Sequence, residues 1–110
     1  MSPSACVVVL TTWPTTDDPE VFARRLVEEG LAACVNVHGE MQSVFRWEGR
    51  VDASAERQLV IKTTSERVPQ LLHHLKANHP YDLPEFLVLP VIDGSKDYLA
   101  WVAASTELKT

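Results

Sequence analysis

The chain is short of the features on which many small functional proteins depend. It has four glycines, two cysteines and no long apolar run, and its 10 Lys plus Arg are outnumbered by 15 Asp plus Glu. So few glycines leave no Gly-rich phosphate-cradling loop, and no Ser or Cys stands in a recognisable activating context, which makes enzyme the weaker functional class. A formal charge of −5 with scattered basic residues cannot replace many counterions on a phosphate backbone, which argues against nucleic acid as a partner. Cys6 and Cys34 each sit inside an apolar run that reads as strand, the usual setting of a small buried hydrophobe; a disulfide or a reactive thiol is the alternative. Residues 1–4 carry no basic leader segment, and the apolar stretch 5–10 is too short to span a membrane. The expectation is a cytoplasmic protein with no membrane partner.

What is present suits one ordinary domain over residues 1–110. A hydrophobic fraction of 45% and a charged fraction of 23% are those of a globular chain. A domain of this size buries roughly two-thirds of the surface its unfolded chain exposes, enough for one core without staples.

Hydrophobic periodicity divides the chain into alternating elements. Residues 5–10 form a continuous β-branched run, the pattern of a strand covered on both faces, ended by Pro14. Asp17 as N-cap, Pro19 in the first turn and Glu20 at the third position open a helix whose apolar stripe is Phe22, Ala23, Leu26 and Val27, closed by Gly30. From Ala32 the period changes to two, with Ala33, Val35 and Val37 on one face, a bulge or bend at Gly39, and renewed alternation through Val44, Phe45 and Trp47. Glu48-Gly49 reads as a tight turn, and Val51, Ala53, Ala55, Leu59 and Ile61 share one face of the return strand. Thr64 or Ser65 can cap a second helix carrying Val68, Leu71, Leu72 and Leu75, which His79-Pro80 stops. Residues 85–92 read as a last strand broken by Pro90, and Tyr98, Leu99, Trp101 and Val102 as a short final helix.

Strand, helix, strand, strand, helix, strand is the order of the α+β ferredoxin-like split βαβ sandwich (βαββαβ), here with an extra C-terminal helix. Strand one is then central and the second and fourth strands are edges. Both arms of the central hairpin exceed the usual five or six residues, and a long, poorly guarded edge invites pairing with another chain. Oligomerisation through that hairpin is the expectation, with Trp47 at its tip as an interface anchor beside Phe45.

Four segments carry a resemblance: Ala32-Ala33-Cys34-Val35-Asn36, Ser43-Val44-Phe45-Arg46-Trp47-Glu48-Gly49, Leu59-Val60-Ile61-Lys62-Thr63-Thr64 and His79-Pro80-Tyr81-Asp82-Leu83-Pro84-Glu85. In that order and spacing, and with Tyr98-Leu99 and Trp101 following, the chain closely resembles the CutA divalent-cation-tolerance family. The resemblance implies a ferredoxin-like subunit in a tight homotrimer, an assembly similar to that of PII signalling proteins, and a metal-binding or regulatory part in tolerance to copper or another divalent cation. It implies copper ligands at a Cys ending strand one and at a His pair before the Pro-Tyr. Those positions are Thr11, Asn78 and His79 here, and only His79 is a ligating residue.

The candidate site residues follow. His79 and Glu85 flank the turn 80–84 and are the candidate metal pair; the alternative is that His79 ends the helix and Glu85 pins the loop. Lys62, Tyr81 and Glu56, with Glu85, are candidate lining for an intersubunit cleft binding a small molecule or anion in the manner of a PII-like sensor. Such a cleft would also serve a small ferredoxin-like enzyme, given a perturbed acid or base. Tyr98 and Trp101, at helical spacing, are expected in the core, and His73 and His74 on the solvated side of their helix.

Overall fold

The computed structural model describes residues 5–107. The reading of residues 1–4 as free of a basic leader lies outside the described residues. The elements are β1 (Cys6–Pro14), α1 (Pro19–Glu28), β2 (Cys34–Trp47), β3 (Arg50–Thr64), a 3₁₀ turn (Ser65–Arg67), α2 (Val68–Asn78), β4 (Leu87–Pro90) and α3 (Lys96–Ser105). The sheet order is β2-β3-β1-β4 with every neighbouring pair antiparallel. This is the expected ferredoxin-like arrangement with an added helix. None of the described helices is long and apolar enough to cross a membrane.

Strand alternation puts Val7 and Val9 of β1 beside Ile61 and Leu59 of β3 on one sheet face. Phe22 and Leu26 from α1 and Leu71 and Leu75 from α2 close over them to make a single core. Leu26, Leu59, Ile61, Leu71 and Leu75 are fully buried, each contributing about 1.5–3 kcal/mol relative to exposure. α3 lies toward the opposite face, where Lys62 reaches Tyr98 and Thr64 meets Thr106.

Several boundaries differ from the sequence expectation, each for a local reason. β1 continues four residues past the apolar run, because Thr11, Thr12 and Trp13 are good strand formers, and Pro14 is tolerated as its last residue. Asp18, not Asp17, caps α1 by accepting a hydrogen bond from the Glu20 amide. Asp17 instead accepts the Trp13 indole N–H at 2.8 Å. Neither Thr64 nor Ser65 caps α2 through its side chain; a 3₁₀ turn leads into it, and the Thr64 hydroxyl turns to Thr106. β4 is only four residues long, since its partners in β1 are Val7 to Leu10.

Tyr98 and Trp101 are 43% and 46% exposed, contrary to the expected core placement. The inward stripe of α3 is Leu99, Val102, Ala103 and Thr106, a 3–4 spacing that leaves residues 98 and 101 on its flank. A Cys6–Cys34 disulfide is likewise ruled out: β3 lies between their strands, setting the backbones about 10 Å apart, beyond disulfide reach. Burial raises the Cys6 thiol above its ordinary value, away from a reactive thiolate.

Candidate ligand cleft beside the hairpin

The site is made by a bulge. Up to Val37, odd-numbered residues of β2 pair with odd-numbered residues of β3 on the helix-covered face (Val35 with Ile61, Val37 with Leu59). The irregularity between Val37 and Glu40 adds one residue, and beyond it Met41 pairs with Glu56, Ser43 with Ser54 and Phe45 with Asp52. A one-residue shift exchanges faces. Met41, Phe45 and Trp47 are thereby moved to the face away from α1 and α2. The hairpin outruns the sheet, because β1 pairs with β3 only from Glu56 onward. Its outer part is a two-stranded ribbon closed by Glu48 and Gly49 at φ 51° and 77°, the geometry of a type I′ turn.

Between this ribbon and the loop 80–85 lies an open cleft of about 1040 Å³, lined by both. The Tyr81 hydroxyl crosses it and donates to Glu56 Oε2 at 2.8 Å. Glu56 is only 7% exposed. Burial, followed by the Glu56 hydrogen bond and charge, pushes the Tyr81 phenol up to about 12, against a smaller opposing hydrogen bond from Ser54.

His79 holds the loop in place. Its Nε2 lies 2.7 Å from the Thr12 carbonyl, which can only accept, and its Nδ1 accepts the Tyr81 backbone N–H at 2.9 Å. That pair of partners fixes the neutral Nε2–H tautomer. The ring also packs between Trp13 and Tyr81, with centroids 4.4 and 5.0 Å away. Desolvation lowers the imidazole below its ordinary value, partly opposed by the Thr12 carbonyl and the Glu56 and Asp17 charges. Gln58 fastens the other end of the loop: its amide nitrogen donates to the Thr11 carbonyl at 2.6 Å and to Glu85 Oε2 at 3.0 Å.

Glu56, Tyr81 and Glu85 therefore share one cleft, and His79 stands behind it. Lys62 does not join them. It lies six residues along β3 from Glu56, about 20 Å at 3.3 Å per residue, with its ammonium 5.7 Å from the Tyr98 ring centroid. Phe45 and Trp47 sit on the ribbon, 40% and 52% exposed. Gln58, Thr12 and Trp13, which organise the loop, had no motif to mark them. The signals available were an amide breaking into an apolar strand and a Trp directly before Pro14.

The donor set fits a metal poorly. Both nitrogens of His79 are engaged, and the side chain of Thr11 is fully buried. Asn78 is exposed and donates to the His74 carbonyl of its own helix. No hydrogen bond joins His79 to Glu85 among the described residues, and in that set no three His, Cys, Asp or Glu side chains converge as a metal site.

The sequence profile of the CutA1 divalent ion tolerance protein family matches residues 7–105. The chain belongs to this family. It is 42% identical over 99 residues to the divalent-cation tolerance protein CutA of Thermus thermophilus, covering 90% of this chain and 96% of that protein. It is also 42% identical over 100 residues to the chloroplastic CutA of Arabidopsis thaliana, covering 91% of this chain but only 55% of the plant protein. The crystal structure of CutA1 from Oryza sativa superposes with a TM-score of 0.91 at 39% identity, covering 98% of this chain and all of that one. The family that the motifs suggested is thus the family that the chain matches.

Proposed function

We propose that this protein acts in divalent-cation tolerance as a self-assembling CutA1-type protein, a homotrimer in the cytoplasm, built through its hairpin. The observation that carries the assembly is the ribbon beyond Glu56: it has two strands only, and exposes Val44, Phe45, Trp47 and Val51. Two strands alone are marginal in water, and neighbouring exposed apolar side chains on such a ribbon call for cover from another chain. The part in cation tolerance is supported by the family and by the names its members carry.

Sedimentation velocity at micromolar concentration tests the assembly. A trimer is expected, and Phe45→Ser with Trp47→Ser should dissociate it; a monomeric wild type defeats the proposal. Growth of a deletion strain on copper and zinc tests the tolerance role, with greater sensitivity expected.

How the metal is met is a separate matter. Copper or another divalent cation bound at His79 and Glu85 would have to displace the Thr12 carbonyl or the Tyr81 amide from the imidazole. We propose that His79 acts on the loop and not on a metal. Copper and zinc titrations of the assembled protein against a chromophoric chelator should give the same affinity for wild type and His79→Ala.

A second reading is favoured by the cleft: a binding site for a small molecule, making the protein a sensor. Catalysis is the weaker reading of the same cleft. Tyr81 is held neutral to about pH 12 and His79 has no free nitrogen, so neither offers a general base at neutral pH.

A further inference from the structure

Arg67 is a cation in the interior with no anion beside it. It is 3% exposed and stands where the 3₁₀ turn runs into α2. Its Nε donates to the Thr106 carbonyl at 2.6 Å, closing the C-terminal end of α3, and its Nη1 donates to Gln70 Oε1 at 3.0 Å. Both acceptors are neutral. Nη2 is buried and has no hydrogen-bond partner among the described residues. The ion pairs in that set join Arg24 to Glu20 and His74 to Glu29, so Glu66 and Glu107, next in the chain to Arg67 and Thr106, leave the guanidinium unpaired. A buried cation is costly unless it is paired with an anion or hydrogen-bonded at every nitrogen. Capping α3 accounts for Nε and leaves Nη2 unexplained.

The surroundings of that nitrogen suit an anion. Gln70 is the third residue of α2, so the guanidinium lies along the first turn of an 11-residue helix. That turn has no side-chain cap and no acidic residue, which leaves the positive end of the helix dipole unanswered. Nη1 and Nη2 are the two prongs of the guanidinium fork, and an oxyanion can accept one hydrogen bond from each. Gln70 holds the first prong with a neutral amide, and because Gln70 is exposed its displacement returns that amide to water. The site also stands apart from the ribbon face given above to a neighbouring copy. Thr64, which precedes the 3₁₀ turn, is eight residues along β3 from Glu56, about 26 Å at 3.3 Å per residue.

We infer that Arg67 and the first turn of α2 form an oxyanion site, which takes a phosphate group at Nη1 and Nη2 in place of the Gln70 amide. Phosphate suits the place better than a carboxylate, because it brings up to two negative charges and further oxygens to the helix end while the fork holds two. The same guanidinium holds the last turn of α3 through Thr106, so an occupied site also fastens that helix. Free phosphate and a phosphate monoester present the same group, and the test separates them. The inference goes beyond the functional reading above and depends neither on the assembly nor on the hairpin cleft.

The test is calorimetric titration of the whole chain with inorganic phosphate and, separately, with glycerol phosphate, at constant ionic strength and with sodium chloride as the control. Saturable binding of at least one phosphate and none of chloride is expected, and the tighter of the two identifies the source. Gln70→Glu sets a carboxylate on the fork from within the chain and should weaken phosphate at least about tenfold. Arg67→Lys keeps the charge but loses the fork and should also weaken it at least about tenfold. Should Arg67→Lys fail to fold, Gln70→Glu alone decides. Gln70→Ala removes the placeholder and should bind phosphate at least as tightly as the wild type, whereas an Arg67 that only caps α3 gives no phosphate binding in any of these proteins. Saturable binding of neither phosphate by the wild type, or undiminished binding by Gln70→Glu, overturns the inference.

Discussion

The hydroxyl of Tyr81 and the carboxylate of Glu56, 25 residues apart in sequence, meet at 2.8 Å across the cleft and tie the loop 80–85 to the hairpin. Tyr81→Phe removes the donor and leaves a buried carboxylate with less support. The expected loss is about 1.5–3 kcal/mol in urea denaturation, the range for a hydrogen bond to a charged group.

The same contact has a signature at high pH. The folded phenol is raised to about 12 from an ordinary value of 10.0. A raised pKa means stability that is complete below about pH 10 and is lost as pH climbs through about 12. Spectrophotometric titration should find one tyrosine ionising late, and Tyr81→Phe should remove that transition.

His79 acts with the opposite sign. Its folded pKa is lowered from 6.5, chiefly by burial, so the unfolded chain binds the proton more readily. Its contribution is complete above the ordinary imidazole range and declines as pH falls through the lowered value. Unfolding midpoints between neutral and mildly acidic pH should fall less steeply in His79→Gln than in the wild type.

At the hairpin tip both turn residues have positive φ, and the first of them is Glu48. Glu48→Asn should raise stability by a few tenths of a kcal/mol to about 1 kcal/mol, because Asn-Gly suits a type I′ turn. Gly49→Val should cost more than about 1 kcal/mol, since a β-branched residue strains the left-handed region. Thermal unfolding of both variants checks the pair.

The two aspartates before α1 also separate by measurement. Asp18→Ala should cost about 1 kcal/mol as a lost N-cap. Asp17→Asn keeps an acceptor for the Trp13 indole and should cost less than about 1 kcal/mol. Denaturant midpoints give both values.

The periodicities of Val7, Val9, Leu26, Leu59, Ile61, Leu71 and Leu75 were enough to order the elements and to select the core, because burial of one face leaves a period in the chain that no long-range contact is needed to read. The sequence likewise determined the long hairpin, its Glu48-Gly49 turn and the family, through residues whose types and spacing are local facts. Tertiary structure decided what those residues do. One inserted residue near Gly39 transfers Phe45 and Trp47 to the other face, a change of register that alternation on each side of it does not announce. Packing against Trp13 and the Thr12 carbonyl gave the His79 ring its partners beside the loop, and the helical phase of α3 set Tyr98 outside the core and beside Lys62. The contact of Tyr81 with Glu56 likewise exists only where β3 and the loop 80–85 meet, for it joins groups 25 residues apart in sequence.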